Sequence, residues 1–331
     1  MIFNKPNQQL SIPIIKKSGP FNLPKVSDEY CAYAKSLTDT ICQFTELPDF
    51  SHDSKVAIFS DFGGEHPGAS YDTYSFLIMA YNKVGPFQDA MRNLRVKHNL
   101  LHHYSEFKFK DLHYGPRSRA LPEFLQIINK LIHGTIVTIA IDKNFHSVFA
   151  KTKKEANDEI TKLLSQLGMG IWNNGQGERV LRICHPAAIL TALLTHENQN
   201  LLWYCDNDSI YSGAKNKRTI EHTHEIFINI LNMYCSHGLR IVGFAKSFEK
   251  KSHLDDLLSV ADFAAGITQD LLQTHKTGKD EIPGSMEKIE LLKWVAQESK
   301  YLSKITIEVR QNDKGQLVSC PIHFSAASNN I

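Results

Sequence analysis

Two apolar runs in this chain end on an aspartate: "VAIFSD", Val56 to Asp61, and "LLWYCD", Leu201 to Asp206. Each reads as a buried strand that stops at a carboxylate. An acid at the end of a central strand is held rigidly at the sheet edge, where ligands and metals bind in α/β proteins. The same side chain can instead bond nearby backbone N–H groups in an Asx-turn. Taken alone, "VAIFSDFGGEHPG" leaves both readings of Asp61 open.

The elements around these runs alternate in period. "VSDEYCAYAKSLTDTICQF" carries helical spacing after Ser27 as N-cap. Thr73–Tyr81 is β-branched and aromatic and reads as a second strand, Pro86–Leu100 as a helix, and "YSEFKFKDL" (Tyr104–Leu112) as a half-buried strand. Leu121–Ile132 reads as a helix closed by Gly134, and Thr135–Lys143 as a buried strand. Helices are expected over Lys153–Gly168 and over Arg179–Glu197, the second admitting Pro186 near its start or at a kink. Past Asp206 follow a helix (Thr219–Gly238), a strand (Leu239–Ala245), a long amphipathic helix (Ser252–His275) and a hairpin turning at Asn312–Gly315. Strands alternating with helices predict an α/β chain with a mixed sheet.

At 331 residues the chain exceeds one average domain. Its 37 Lys+Arg against 35 Asp+Glu exclude an overall basic field but leave room for a local phosphate-binding patch. The six cysteines are scattered without a C-x-x-C pair, which fits reduced thiols better than a disulfide framework or a zinc ribbon. The first residues lack the basic and apolar regions of a secretory leader, and no apolar window is long enough to span a membrane. A cytoplasmic protein is expected.

Two further acids join the strand-end pair. Asp262 lies inside the apolar helix "LLSVADFAAGI", among Leu258, Ala261, Ala265 and Ile267. A carboxylate is rarely buried without a partner, and small neighbours such as Ala264 and Gly266 let a helix approach such a site closely. A salt bridge or a surface position is the alternative for Asp262. Glu106 is followed by Lys108 and Lys110, and its alternative is a solvated strand face. Carboxylates that cluster repel one another and call for a hard cation, Mg²⁺ or Mn²⁺, bound with water and phosphate oxygens. Two such ions about 4 Å apart activate water and stabilise a leaving oxygen in phosphodiester cleavage.

In order and placement, Asp61, Glu106 with Lys108, Asp206 and the "ADFAAG" around Asp262 resemble the acidic set of the RNase H-like nuclease fold. More narrowly, the chain resembles the bacterial domain-of-unknown-function 3800 family over roughly residues 55–275. That family opens with an Asp-Glu-Ser-Gly turn, then carries a Glu-x-Lys segment, a strand-end Asp and a late helix of this kind. The resemblance implies an RNase H-like mixed sheet flanked by helices. It also implies metal-dependent cleavage of RNA or DNA: Asp61 bridges two ions, Glu106 and Asp206 bind one, Asp262 closes the second site and Lys108 meets the phosphate. A setting in defence against foreign nucleic acid, with a protein partner, follows from the same resemblance. Two departures stand out: Phe62 replaces the usual second acid, and a long stretch separates Glu106 from Asp206, with Glu65 and Asp208 as nearby substitutes. A catalytically inactive module that binds nucleic acid or a partner protein is the alternative, and a small-molecule hydrolase with a closed pocket a third reading.

The expected organisation is an arm and helix over residues 1–50, and the RNase H-like domain over 51–280 with an insertion at about 111–200. A C-terminal helix and hairpin fill 281–331. Lys215, Lys217 and Arg218 follow Asp206, and Lys246, Lys250 and Lys251 precede the Asp262 helix. Together they are candidates for a phosphate groove, or simply for solvated loops. His222 and His224 are two residues apart on a helix and diverge by roughly 200°, so they cannot share one ion.

Overall fold

A computed structural model describes residues 30–101, 104, 106–113, 115–172, 175–206, 210, 218–247, 252–278 and 285–324. The described strands are β1 (Lys55–Gly63), β2 (Tyr71–Ala80), β3 (Gly134–Asp142), β4 (Asn200–Cys205), β5 (Ile241–Lys246), β6 (Leu302–Gln311) and β7 (Leu317–Ile322). They form a seven-stranded mixed sheet in the order β5-β4-β1-β2-β3-β6-β7. β1, β2 and β3 are antiparallel neighbours, while β4 runs parallel to β1 and β5 parallel to β4. On the other side β6 runs parallel to β3 and β7 folds back on it. The fold is therefore α/β with helices on both faces, consistent with an RNase H-like sheet.

Side-chain alternation along the strands assigns the layers. Val56 and Ile58 of β1 join a core that buries the helices α1 (Ala32–Ile41), α4 (Lys153–Gln166), α5 (Gln176–Leu194) and α6 (Ile220–Tyr234). Ala57 and Phe59 point the other way, into a core with α2 (Gly85–Lys97), α3 (Gly115–Leu131), α7 (His253–Thr277) and α8 (Met286–Ala296). Continuing the alternation two residues puts Asp61 on the α7 face. The segment read as an insertion supplies β3, which is paired on both edges, and the C-terminal hairpin extends the same sheet through β6.

Three local expectations need correction. Residues 106–108 form no strand and run into a short 3₁₀ turn, Phe109–Asp111. Their alternation is still real, since Phe107 is buried while Glu106 and Lys108 are half-buried, but the aromatic rings of Phe107 and Phe109 pack on Phe124 of α3 and Gly266 of α7. Gly134 does not close a helix; it opens β3, where a Cβ would lie 2.2 Å from the Ile78 carbonyl oxygen. The helix expected from Arg179 begins earlier, at Gln176, with Gly175 at φ 79°, so Pro186 falls in its interior. Ser27 lies outside the described residues, and α1 begins at Ala32 after Cys31. The turn at Asn312–Gly315 is as expected, closed by the Gly315 N–H donating to the Asn312 carbonyl at 2.9 Å.

Pro186 has no N–H to donate to the carbonyl of Arg182 one turn earlier. The Tyr33 hydroxyl of α1 donates to that carbonyl at 3.0 Å instead, from a fully buried position. A sequence breaker in α5 thus becomes the anchor for α1. Tyr33→Phe removes only this donor and is expected to cost about 1 kcal/mol. Urea unfolding should show a lower midpoint with an unchanged slope, and an unchanged midpoint would refute the assignment.

Candidate functional site

β1 and β4 are parallel neighbours whose pairing ends with Ser60 opposite Cys205, so Asp61 and Asp206 follow at the same level. Asp206 lies just past β4, but β1 does not stop at Asp61 as expected and runs on to Gly63, with Asp61 opposite Ser75 of β2. Both aspartates follow residues of the α7 core, Phe59 and Tyr204, by two positions and so share its face. Helix α7 crosses that face, and its approach is made possible by small residues. A Cβ on Gly63 would lie 2.6 Å from Thr73 Oγ1 and 3.1 Å from Gln269 Oε1, with Ala265 just behind. The crossing brings Asp262 to Asp61. Their carboxyl groups hydrogen-bond, and Asp206 acts on both electrostatically.

A segment from the α2–α3 connection covers this cluster. The Phe109 N–H donates to Asp262 Oδ2 at 2.7 Å. The Phe109 ring lies on Gly266, where a Cβ would come within 2.4 Å of the ring, so the glycine of "ADFAAG" is the seat for this aromatic. Glu106 and Lys108, 3.4 Å apart, hang over the aspartates. The resulting pocket, about 190 Å³, is lined by Asp61, Glu106, Asp206 and Asp262, by Lys108 and Lys110, and by Phe62, Phe107 and Phe109 among others. All four acids expected from the sequence, and Lys108, meet here. Lys110 and the backbone of Phe109 were not foreseen; the "FKFKD" alternation is the signal that carried them.

The electrostatics follow from this crowding. Burial pushes the Asp61 carboxyl well above the usual range, and the charges of Asp262 and Asp206 push it further; the Phe62 N–H, donating to Asp61 Oδ1 at 2.7 Å, opposes this. Asp262 is raised by burial to about 6, against the pull of the Phe109 N–H and of Lys108. For Lys108 burial disfavours the charge, but Glu106, Asp206 and Asp262 outweigh it and hold the ammonium in place. Two hydrogen-bonded carboxyls need a proton between them or a cation beside them.

The donor set, hard carboxylate oxygens around a shared buried charge, suits Mg²⁺ or Mn²⁺ in kind. Among the described residues, no three His, Cys, Asp or Glu side chains are grouped so as to hold a metal ion as they stand. Mg²⁺ commonly takes one or two carboxylates and completes its shell with water and phosphate oxygens, so the Asp61–Asp262 pair meets its minimum.

The other candidates are placed elsewhere. Arg218 is buried, its guanidinium 4.4 Å over the Trp172 ring and donating to Gln176 Oε1 at 2.6 Å. Lys246 is opposite Cys205 in β5 and so shares the α5–α6 face, away from α7. Neither lines the pocket. Lys215, Lys217, Lys250, Lys251 and Asp208 lie outside the described residues. Glu65 pairs with Arg179 rather than turning inward. His222 accepts the Thr219 N–H at the start of α6 while His224 stacks on Phe244, so the two diverge as the helical spacing requires. Among the described residues no helix is long and apolar enough to cross a membrane.

Carboxyls raised in the folded state favour folding while protonated. Their contribution is complete below the unfolded value near 3.8 and is lost as pH rises through the raised folded values, about 6 for Asp262. In EDTA, the melting temperature of the wild type should therefore fall between about pH 4 and pH 6, and Asp61→Asn should flatten that fall. An equally steep fall in the variant would show that the pair does not carry it. Comparison of the chain with protein-family models and with curated proteins finds no match in either.

Proposed function

We propose that this protein hydrolyses phosphodiester bonds in nucleic acid with Mg²⁺ or Mn²⁺ held at the carboxylate pocket. The observation that supports it is the meeting of Asp61, Glu106, Asp206 and Asp262 from four separated stretches of chain in one pocket with Lys108. A fold has little reason to assemble mutually repelling acids unless a positive ligand stabilises them. Backbone N–H groups engage Asp61 Oδ1 and Asp262 Oδ2, which fixes both carboxylates and leaves the opposite oxygen of each free of that bond.

When bound, the divalent ion would polarise the phosphate and lower the pKa of a water molecule. The chain's own residues do the rest. Asp61 and Asp262 would hold the ion, with Asp206 and Glu106 as the further carboxylates available to it. Lys108 would bind a non-bridging phosphate oxygen as its bond to Glu106 opens. Lys110 is exposed at the mouth of the pocket and would meet a neighbouring phosphate. The phenyl wall of Phe109 would limit bulk water at the reacting centre. A role against foreign nucleic acid, with a protein partner, belongs to this same proposal and rests on the resemblance.

Two observations favour a second reading, a module that binds nucleic acid or a partner protein without cutting. Phe62 stands where an acid is expected, and the carboxylates are not drawn into a three-ligand group. Labelled single- and double-stranded RNA and DNA, incubated with Mg²⁺, Mn²⁺ or EDTA, decide between them. The proposal expects metal-dependent cleavage that Asp206→Asn lowers at least a hundredfold. Binding without cleavage would favour the module, and cleavage that survives Asp206→Asn would overturn the site.

A further inference from the structure

Among the described residues, the segment that carries Glu106 and Lys108 has no strand partner, so its height over the pocket depends on tethers at its two ends. The downstream tether is the Phe109 N–H on Asp262. Upstream, the Tyr104 hydroxyl donates to Asp256 of α7, and Arg95 of α2 donates to the same carboxylate through Nε at 3.3 Å and through Nη2. The Arg95 guanidinium lies 3.7 Å over the Tyr104 ring, 5.3 Å from the Phe107 ring, and donates to the Leu100 carbonyl at 3.0 Å. Arg95 and Asp256 are both 1% exposed. Tyr104 adopts a positive φ of 29°, an uncommon conformation for a residue with a side chain. Such a conformation persists only where its surroundings over-determine it.

A buried ion pair is a poor device for stability alone, because desolvation consumes most of its attraction. It is a good device for register, since a guanidinium and a carboxylate fit in one geometry. From this we infer that Arg95, Asp256 and Tyr104 are positioning residues that set where Glu106 and Lys108 sit over the aspartate pocket. The inference rests on the phosphodiester reading for its function, though not for its geometry. The clamp fixes the start of the strap and Asp262 fixes its end, so α7 carries both anchors, one of which is the pocket acid itself. Lys108 then reaches the phosphate without a search through rotamers and loop positions, which is what preorganisation contributes to rate.

The test uses the full chain with Tyr104→Phe, which removes one hydroxyl and keeps the ring over Arg95, and with Asp256→Asn. Should Asp256→Asn fail to fold, Tyr104→Phe alone decides. Residue-resolved amide hydrogen exchange is read at Phe109, at Ile58 in β1 and at Ala265 in α7. We expect Phe109 to exchange at least tenfold faster in the variants while Ile58 and Ala265 keep their rates. A general acceleration at all three, or no change at Phe109, overturns the positioning role. On the same proteins kcat for metal-dependent cleavage should fall about as far as in Glu106→Gln, with KM held. An unchanged kcat beside a loosened Phe109 overturns the functional half of the inference. A wild type that does not cut at all refutes the phosphodiester reading, and the exchange rates still decide whether the clamp sets the strap.

Discussion

Asp61 and Asp262 hydrogen-bond to each other in a pocket that Asp206 also lines, and burial raises both. Charges this close in a low-dielectric site cannot all be ionised without help. Much of the local architecture answers that requirement. Parallel pairing of β1 with β4 sets two acids side by side, and Gly63, with Ala265 facing it, lets α7 bring a third. Backbone N–H groups from Phe62 and Phe109 then stabilise negative charge on two of them. Lys108 supplies a full positive charge beside the cluster, and it is shared with Glu106.

Legibility followed the range of the forces involved. The faces of Asp61 and Asp206 were readable because a β-strand fixes side-chain direction residue by residue, so the two inherit the face of Phe59 and Tyr204, even though β1 runs on past Asp61 to Gly63. Asp262 was readable because an acid in an apolar helical run contradicts its surroundings. The segment around Glu106 was harder. Its period of two is what a strand produces, yet the alternation arises from aromatic rings packing on helices, and a pattern does not reveal what it packs against. The basic candidates fared least well in the described part. Sequence proximity to Asp206 and to α7 says nothing about which face a lysine takes, and Lys246 and Arg218 took the far one.

Residues that look like local faults turn out to be joints between elements. Pro186 interrupts α5 and frees a carbonyl for Tyr33 of α1. Gly266 weakens α7 as a helix former and seats Phe109. Gly134, at the edge where β2 and β3 press together, leaves room for the Ile78 carbonyl. None of these roles follows from propensity, because each depends on a chain segment far away in sequence.

The central claim is that a divalent ion belongs among these carboxylates. The most direct measurement is anomalous diffraction from crystals of the full chain grown with Mn²⁺ at neutral pH. The account predicts a manganese peak within about 2.2 Å of oxygens from Asp61 and Asp262, with their mutual hydrogen bond broken and Asp206 or Glu106 drawn toward the ion. A pocket without a peak, with Asp61 and Asp262 still joined through a proton, would contradict it.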